Sequence, residues 1–154
     1  SHYVGGGNMT VTFCGHSHVS DAAELSVWLD KVLDLLIAEG ADRFYLGGYG
    51  DFDRMAAEAV KAKKDEKPDI ETALVTAYLG RHADGEFYDY MIYPTLRDVT
   101  QRSAIPQRNE WMVDSADVVV AYVTHEWGGA ARTLEYARQC GKRIMLYPEL
   151  AERW

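Results

Sequence analysis

The chain has 154 residues, of which 47% are hydrophobic, enough to close one hydrophobic core of ordinary domain size. Its formal net charge of -8 and pI near 5.0 argue against a nucleic-acid backbone or an anionic membrane as partner, because both attract clustered Lys and Arg. No stretch approaches the roughly 20 uninterrupted apolar residues of a membrane span, and nothing resembles a secretory signal. We therefore expect one cytoplasmic domain with no membrane partner.

The two cysteines and the first residues are not expected to carry function. Cys14 and Cys140 lack metal-ligand spacing and are interpreted as reduced thiols. Cys14 precedes a glycine at a candidate site, but small buried cysteines in strands are commoner than nucleophiles. Residues 1–8 have no periodicity and include three consecutive glycines, so we interpret them as an expression remnant and assign the domain to residues 9–154.

Strand and helix patterns alternate from Thr10 onward. The predicted elements are a strand at Thr10–Cys14, a helix at 22–40, a strand at 43–48, a helix at 52–64 and a strand at 71–79. The first helix has apolar residues at helical spacing, with Ser20 and Asp21 as capping candidates; they are Leu25, Trp28, Leu29, Val32, Leu35 and Leu36. This order is typical of a parallel sheet.

The second half continues the alternation after a long irregular stretch, Gly80–Pro106, whose length favours a functional or partly structured loop. A helix is predicted after Pro106, with Trp111, Met112 and Ser115 toward the interior. It leads to a strong strand at 117–123, a helix at 128–141 and a strand at 142–147. Together the patterns predict an α/β, three-layer domain with a mainly parallel five-stranded sheet.

Glycine clusters follow three predicted strands, at residues 15–18, 47–51 and 124–129, and each precedes a helix. In open parallel sheets ligands bind beyond the carboxyl ends of the strands. Glycines there admit a close ligand, and the N–H groups of the next helix attract a phosphate. None of the loops matches GxGxxG or GxxxxGK[ST], so NAD enzymes and P-loop ATPases are poorly supported. One such loop alone favours an ordinary turn, but three together indicate a binding site.

Two side chains are candidates for chemistry at that site. Arg108, beside Asn109 on the helix before the fourth predicted strand, suits a phosphate or carboxylate clamp as well as it suits a solvated helix surface. Glu135 is placed to reach a sugar hydroxyl or to act as a general base, although the pattern taken by itself favours an ordinary exposed helix glutamate.

Histidines and aromatic residues also fall in the loops. His16, His18 and His125 have no spacing that ties them into a metal site, so no metal is expected. The stacking faces available for a base are Tyr88, Tyr90, Tyr93 and Trp127, although aromatic residues in a long loop more often attach it to the domain.

Several segments resemble the SLOG superfamily of Rossmann-like domains, within it the YpsA-like branch of bacterial and phage proteins. The resemblance rests on TFCGHS, GGYGDFDRMAAEAV, YDYMIYPTL and above all AIPQRNEWMVDSADVVVAYVTHEWGGAARTLEYARQCGKRI. It implies a single Rossmann-like domain with strand order 3-2-1-4-5. It also implies a distant similarity to the lonely-guy phosphoribohydrolases, whose arginine and PGGxGTxxE motif correspond here to Arg108 and to Gly128, Gly129, Thr133 and Glu135. Trp127 replaces the proline of that motif, and Asn109 stands where a lysine is typical.

The resulting hypothesis is a domain that binds or senses a small nucleotide-like phosphorylated ligand, without cofactor and without binding duplex nucleic acid. The alternatives are a nucleoside 5′-monophosphate N-glycosidase and a protein-interaction module that uses the aromatic stretch. Members of the superfamily are often dimers, which leaves a homodimer as an open expectation. The candidate ligand-binding residues are Gly15, His16, Ser17, Gly47, Gly48, Gly50, Asp53, Arg108, Asn109, Gly128, Gly129 and Thr133; the candidate catalytic residues are Arg108 and Glu135.

Overall fold

The computed structural model of the chain describes residues 9–78, 85–96 and 100–149. The expression remnant predicted at 1–8 lies outside these residues. The elements, in chain order, are β1 (Met9–Gly15), α1 (Ala22–Ala38), β2 (Ala41–Leu46), α2 (Gly50–Glu66), β3 (Glu71–Val75), β4 (Tyr90–Ile92), α3 (Gln101–Ser115), β5 (Val118–Tyr122), α4 (Gly129–Gln139) and β6 (Arg143–Leu146). No helix among the described residues is long and apolar enough to cross a membrane.

The strands form one parallel sheet of order β4-β3-β2-β1-β5-β6. The α/β prediction is confirmed, and five of the strands follow the expected order 3-2-1-4-5. The sixth strand, β4, was missed because it has only three residues and lies at the sheet edge, where little apolar burial marks it. The chain moves outward from β1 to β4 and then returns to β5, so the strand order reverses between β1 and β5.

Hydrophobic residues cover both faces of the sheet, as the continuous apolar strands predict. On one face α1 and α2 pack against Val11, Phe13 and Phe44 in the larger core. On the other face α3 and α4 pack against Val119 and Ala121 in the smaller core. With both faces covered by helices, the carboxyl edge is the part of the sheet left open to form a site.

Two helix predictions need correction. In α1 the side chain of Leu33 is fully buried, whereas that of Leu35 is 36% exposed, because residues 25, 29, 33 and 36 share one stripe. The helix α3 begins at Gln101, so Pro106 lies inside it rather than before it. Ser115 is exposed, while Ala104, Arg108 and Met112 are buried at intervals of four residues. Pro106 is the sixth residue of α3, so it removes the helical hydrogen bond to the carbonyl oxygen of Arg102. The turn before it nevertheless forms, and its Ala104 is buried in the protein interior.

Candidate functional site

A cavity of about 610 Å³ opens at the carboxyl edge of the sheet, where the strand order reverses. Most of the candidate site residues predicted from the sequence line this cavity: Gly15, His16, Ser17, Gly47, Asp53, Arg108, Asn109, Gly128, Gly129 and Thr133. Gly48, Gly50 and Glu135 do not line it. The cavity is also lined by residues outside the three glycine clusters, among them Phe13, Ile105, Met112 and Tyr122.

The glycines around this cavity have different physical roles. A Cβ atom at Gly15 would lie 2.3 Å from Cδ2 of Phe52, so this glycine is required by packing. Gly50 has a φ of 90°, and its Cβ would lie 2.6 Å from Cα of Ser17. In contrast, a Cβ at Gly129 would meet nothing within 4 Å. The open backbone at Gly129 therefore leaves room that a ligand can occupy.

Arg108 is buried in the cavity wall, with 5% of its surface exposed. Its Nη1 donates hydrogen bonds to the carbonyl oxygens of Gly47 (3.1 Å) and Val75 (2.8 Å), and its Nε donates to Oδ1 of Asn109 (2.9 Å). The first two bonds fasten α3 to the carboxyl ends of β2 and β3. Part of the guanidinium's donor capacity is thus already used by the fold itself.

Asp53 is a partly buried carboxyl group in the same wall. Burial raises its pKa to about 6, while the N–H of Tyr49, which donates to Oδ2 at 3.2 Å, and the charge of Arg108 act in the opposite direction. Burial also raises the pKa of Cys14 to about 12, and the charge of Asp53 contributes to that shift. At neutral pH the cavity therefore holds an aspartate anion and an unreactive thiol.

Three parallel rings form a column at the cavity rim. The ring of His16 stacks on that of His125 with centroids 3.9 Å apart, and His125 stacks on Trp127 at 3.8 Å. Their interplanar angles are 12° and 18°. Trp127 ends this ring column and is 70% exposed, so one indole face remains available for stacking.

His16 also forms a hydrogen bond with the loop that carries His125 and Trp127. Its Nε2 accepts a hydrogen bond from the N–H of Thr124 at 2.8 Å, which assigns the ring proton to Nδ1. Burial and the neighbouring His125 lower the pKa of His16. The neutral ring suits this role, because a protonated His16 would present an N–H to another N–H.

The amino terminus of α4 borders the cavity beside Trp127. Gly128 is its N-cap residue, has a φ of 95° and provides no side-chain cap, so the first N–H groups of the helix have no capping side chain. Thr133 lines the cavity, but its hydroxyl donates to the carbonyl oxygen of Gly129 at 2.9 Å. Backbone N–H groups, rather than this hydroxyl, are the donors available to an anion there.

Glu135 lies on a different face of α4. The buried residues of this helix are Thr133, Leu134 and Ala137, and this pattern turns Glu135 toward solvent. Its carboxylate lies 3.9 Å from Arg138 and accepts a hydrogen bond from Gln139. N-glycosidic cleavage in this cavity therefore lacks the base that the sequence hypothesis supplied.

The other candidates are scattered. Tyr90 and Tyr93 lie at or just after edge strand β4, away from the cavity lining. Across the described ranges no group of three or more His, Cys, Asp or Glu side chains is arranged to hold a metal ion.

No protein-family model and no curated protein sequence matches this chain. Solved structures do match. DNA processing protein A from Helicobacter pylori, described for its single-stranded DNA binding mode, has a TM-score of 0.65 and 15% identity, covering 92% of this chain and 66% of that one. DNA processing protein A from Streptococcus pneumoniae has a TM-score of 0.62 and 16% identity, covering 88% and 49%. The Moco carrier protein of Chlamydomonas rheinhardtii has a TM-score of 0.56 and 15% identity, covering 96% and 82%.

These comparisons correct the expected partner. The prediction of a small nucleotide-like ligand is wrong, because the two DNA processing proteins point to nucleic acid, though not to a duplex. Glycine-rich loops after β-strands offer the same contacts to a free nucleotide and to a nucleotide within a nucleic-acid chain. The sequence pattern therefore could not distinguish these two kinds of ligand. This chain spans 66% and 49% of the two DNA processing proteins. At these identities the likeness shows the fold alone, and the chain therefore has a Rossmann-like fold.

Proposed function

We propose that the cavity at the carboxyl edge of the sheet binds a nucleotide unit of single-stranded nucleic acid. The observation that carries this proposal is the ring column, which presents the exposed indole of Trp127 at the cavity rim. Exposed aromatic rings are the usual platforms for unpaired bases, because every base has a π face. The base of a duplex is already stacked and does not offer that face.

The phosphate of the same unit is assigned to the amino terminus of α4. Gly128 and Gly129 follow Trp127 directly, and the space above Gly129 is open. Helix N–H groups bind phosphate oxygens without needing a basic side chain. A stacked base and a bound phosphate one residue apart in sequence form the minimal site for a nucleotide.

The net charge of -8 limits which interactions can supply affinity for a nucleic acid. General attraction to a polyanion is absent, so affinity has to come from stacking and from a small number of phosphate contacts. For one or two phosphates on a single strand the slope of log K against log salt is about -0.7 to -1.4. A shallow salt dependence is therefore part of the proposal.

The test is titration of a fluorescently labelled oligothymidylate, followed by anisotropy. Trp127→Ala should weaken binding by about 5- to 150-fold, the range that corresponds to about 1–3 kcal/mol for one stacked base. Tyr93→Ala is the matched control, since it removes an exposed aromatic ring (42% exposed) outside the cavity. Equal affinities for wild type and Trp127→Ala, or complete displacement of the strand by an equimolar nucleoside monophosphate, would contradict the proposal.

A further inference from the structure

A second cavity of about 650 Å³ lies against α4 and shares a wall with the first. Thr124 and His125 line both cavities. The ring column therefore stands at the boundary between the two spaces, with His125 belonging to each. A strand whose base stacks on Trp127 has the second cavity immediately beside it.

Each cavity is lined by groups of both signs, but their arginines differ in how far the fold already uses them. The first contains the carboxylate of Asp53, which is ionised at neutral pH and disfavours a second phosphate, and the guanidinium of Arg108, which is buried and donates to Gly47, Val75 and Asn109. The second contains two arginines, Arg132 and Arg138, together with the two glutamates Glu126 and Glu135. A phosphate that follows the stacked unit is thus better placed in the second cavity than deeper in the first.

Arg132 is the stronger of the two candidates in that cavity. Arg138 lies 3.9 Å from the carboxylate of Glu135, which offsets part of its charge. The guanidinium of Arg132, in contrast, is exposed and has no ion pair within residues 9–78, 85–96 and 100–149. Glu126 and Glu135 also line the cavity, so its formal charges balance, whereas the chain as a whole has a net charge of -8.

We infer that the second cavity is a subsite for the neighbouring nucleotide of the same single strand, with Arg132 contacting its phosphate. This inference rests on the proposed function of the first cavity. It extends the site from one nucleotide to a short path over the end of α4. It also assigns a binding role to a face of α4 that the sequence hypothesis used only for Glu135.

The experiment compares the dinucleotide TpT without a terminal phosphate, whose single phosphate is taken by the amino terminus of α4, with a longer oligothymidylate that also has a phosphate for Arg132. Both affinities are measured by anisotropy at several salt concentrations. Wild type should bind the longer strand more tightly. Arg132→Ala should weaken the longer strand by about two- to fivefold, the range of an exposed charge pair, and make its salt slope shallower by about 0.7, while leaving the dinucleotide unchanged. Arg132→Lys should keep the wild-type slope, because it keeps the charge.

The control is Arg143→Ala, which removes an arginine from the first residue of β6, at the amino edge of the sheet, where its guanidinium is paired with Glu39. It should leave both affinities unchanged. If Trp127→Ala loses binding but Arg132→Ala alters neither affinity nor slope, the second subsite is wrong and the proposed function stands. If Arg132→Ala weakens both strands equally, Arg132 belongs to the first cavity and the subsite is again refuted. If Trp127→Ala has no effect on either strand, the proposed function itself fails.

Discussion

Replacing Asp53 with Asn should stabilise the fold at neutral pH and not at acidic pH. The pKa of the Asp53 carboxyl group is raised from 3.8 to about 6, chiefly by burial. Between about pH 4 and pH 6 this carboxyl group is therefore protonated in the folded state and ionised in the unfolded chain. Stability contributed by this proton is present below the unfolded pKa and is lost as the pH rises through the folded one.

The size of the effect follows from that shift. About two pKa units at 1.36 kcal/mol each give about 3 kcal/mol as an upper figure, because the residue is only partly buried. The opposing influence of Arg108 is already contained in the net shift. For a chain of this length 1 kcal/mol corresponds to about 2–4 °C in Tm, so the gain at neutral pH is at most about 6–12 °C.

Thermal unfolding of wild type and Asp53→Asn across about pH 4 to pH 8 measures this directly. All other groups titrate in both proteins, so the difference between the two Tm curves isolates Asp53. The difference should grow between about pH 4 and pH 6 and then level off. A difference that does not change with pH, or a variant less stable than wild type at pH 8, would refute the reasoning. The variant should also bind oligothymidylate more tightly at neutral pH, since one anion has left the cavity.

Three further substitutions test the cavity wall. Gly15→Ala should lower the free energy of unfolding, measured by urea denaturation, by about 1–3 kcal/mol, since its Cβ would overlap the ring of Phe52. Gly129→Ala should change the same quantity by less than about 0.5 kcal/mol and should lower the affinity for the oligonucleotide. The reverse order of stabilities would contradict the packing assignment. Arg108→Lys should lower the free energy of unfolding by about 1.5–3 kcal/mol in the same assay. The shorter lysine side chain does not extend to the position of Nη1, which donates to Gly47 and Val75, and it has no counterpart of the Nε that donates to Asn109. An unchanged midpoint would show that these bonds contribute little.

The sequence predicted the fold well where one apolar pattern dominates. The strand that became β5, VVVAY, is buried at all five positions and was recognised from its residues alone. The edge strand β4 could not be found in this way, because its Tyr90 and Met91 remain exposed. The early turns of α3 were missed because Pro106 normally begins a helix, and only tertiary packing of Ala104 shows that this one starts sooner.

The location of the site was predictable, and the roles of its residues were only partly so. Glycine-rich loops converge at one sheet edge because parallel strands end together. The burial of Arg108 depends on carbonyl groups from two distant strands, which no local pattern encodes. Similarly, the ring column joins His16 to His125 and Trp127, over a hundred residues apart in sequence, and only the pairing of β1 with β5 brings them together.

The crowding around Gly47 has a consequence for how related sequences can change. A Cβ at this position would lie 3.1 Å from both Cζ of Arg108 and Oδ2 of Asp53, and its carbonyl oxygen already accepts from the arginine. The three positions therefore cannot vary independently. An alanine at position 47 requires the side chains of Asp53 and Arg108 to shift by a few tenths of an ångström, and we expect a natural homologue with a still larger residue there to carry a shorter side chain at position 53 or 108. In an alignment of natural homologues we therefore expect positions 47, 53 and 108 to vary together, rather than any one of them to be invariant.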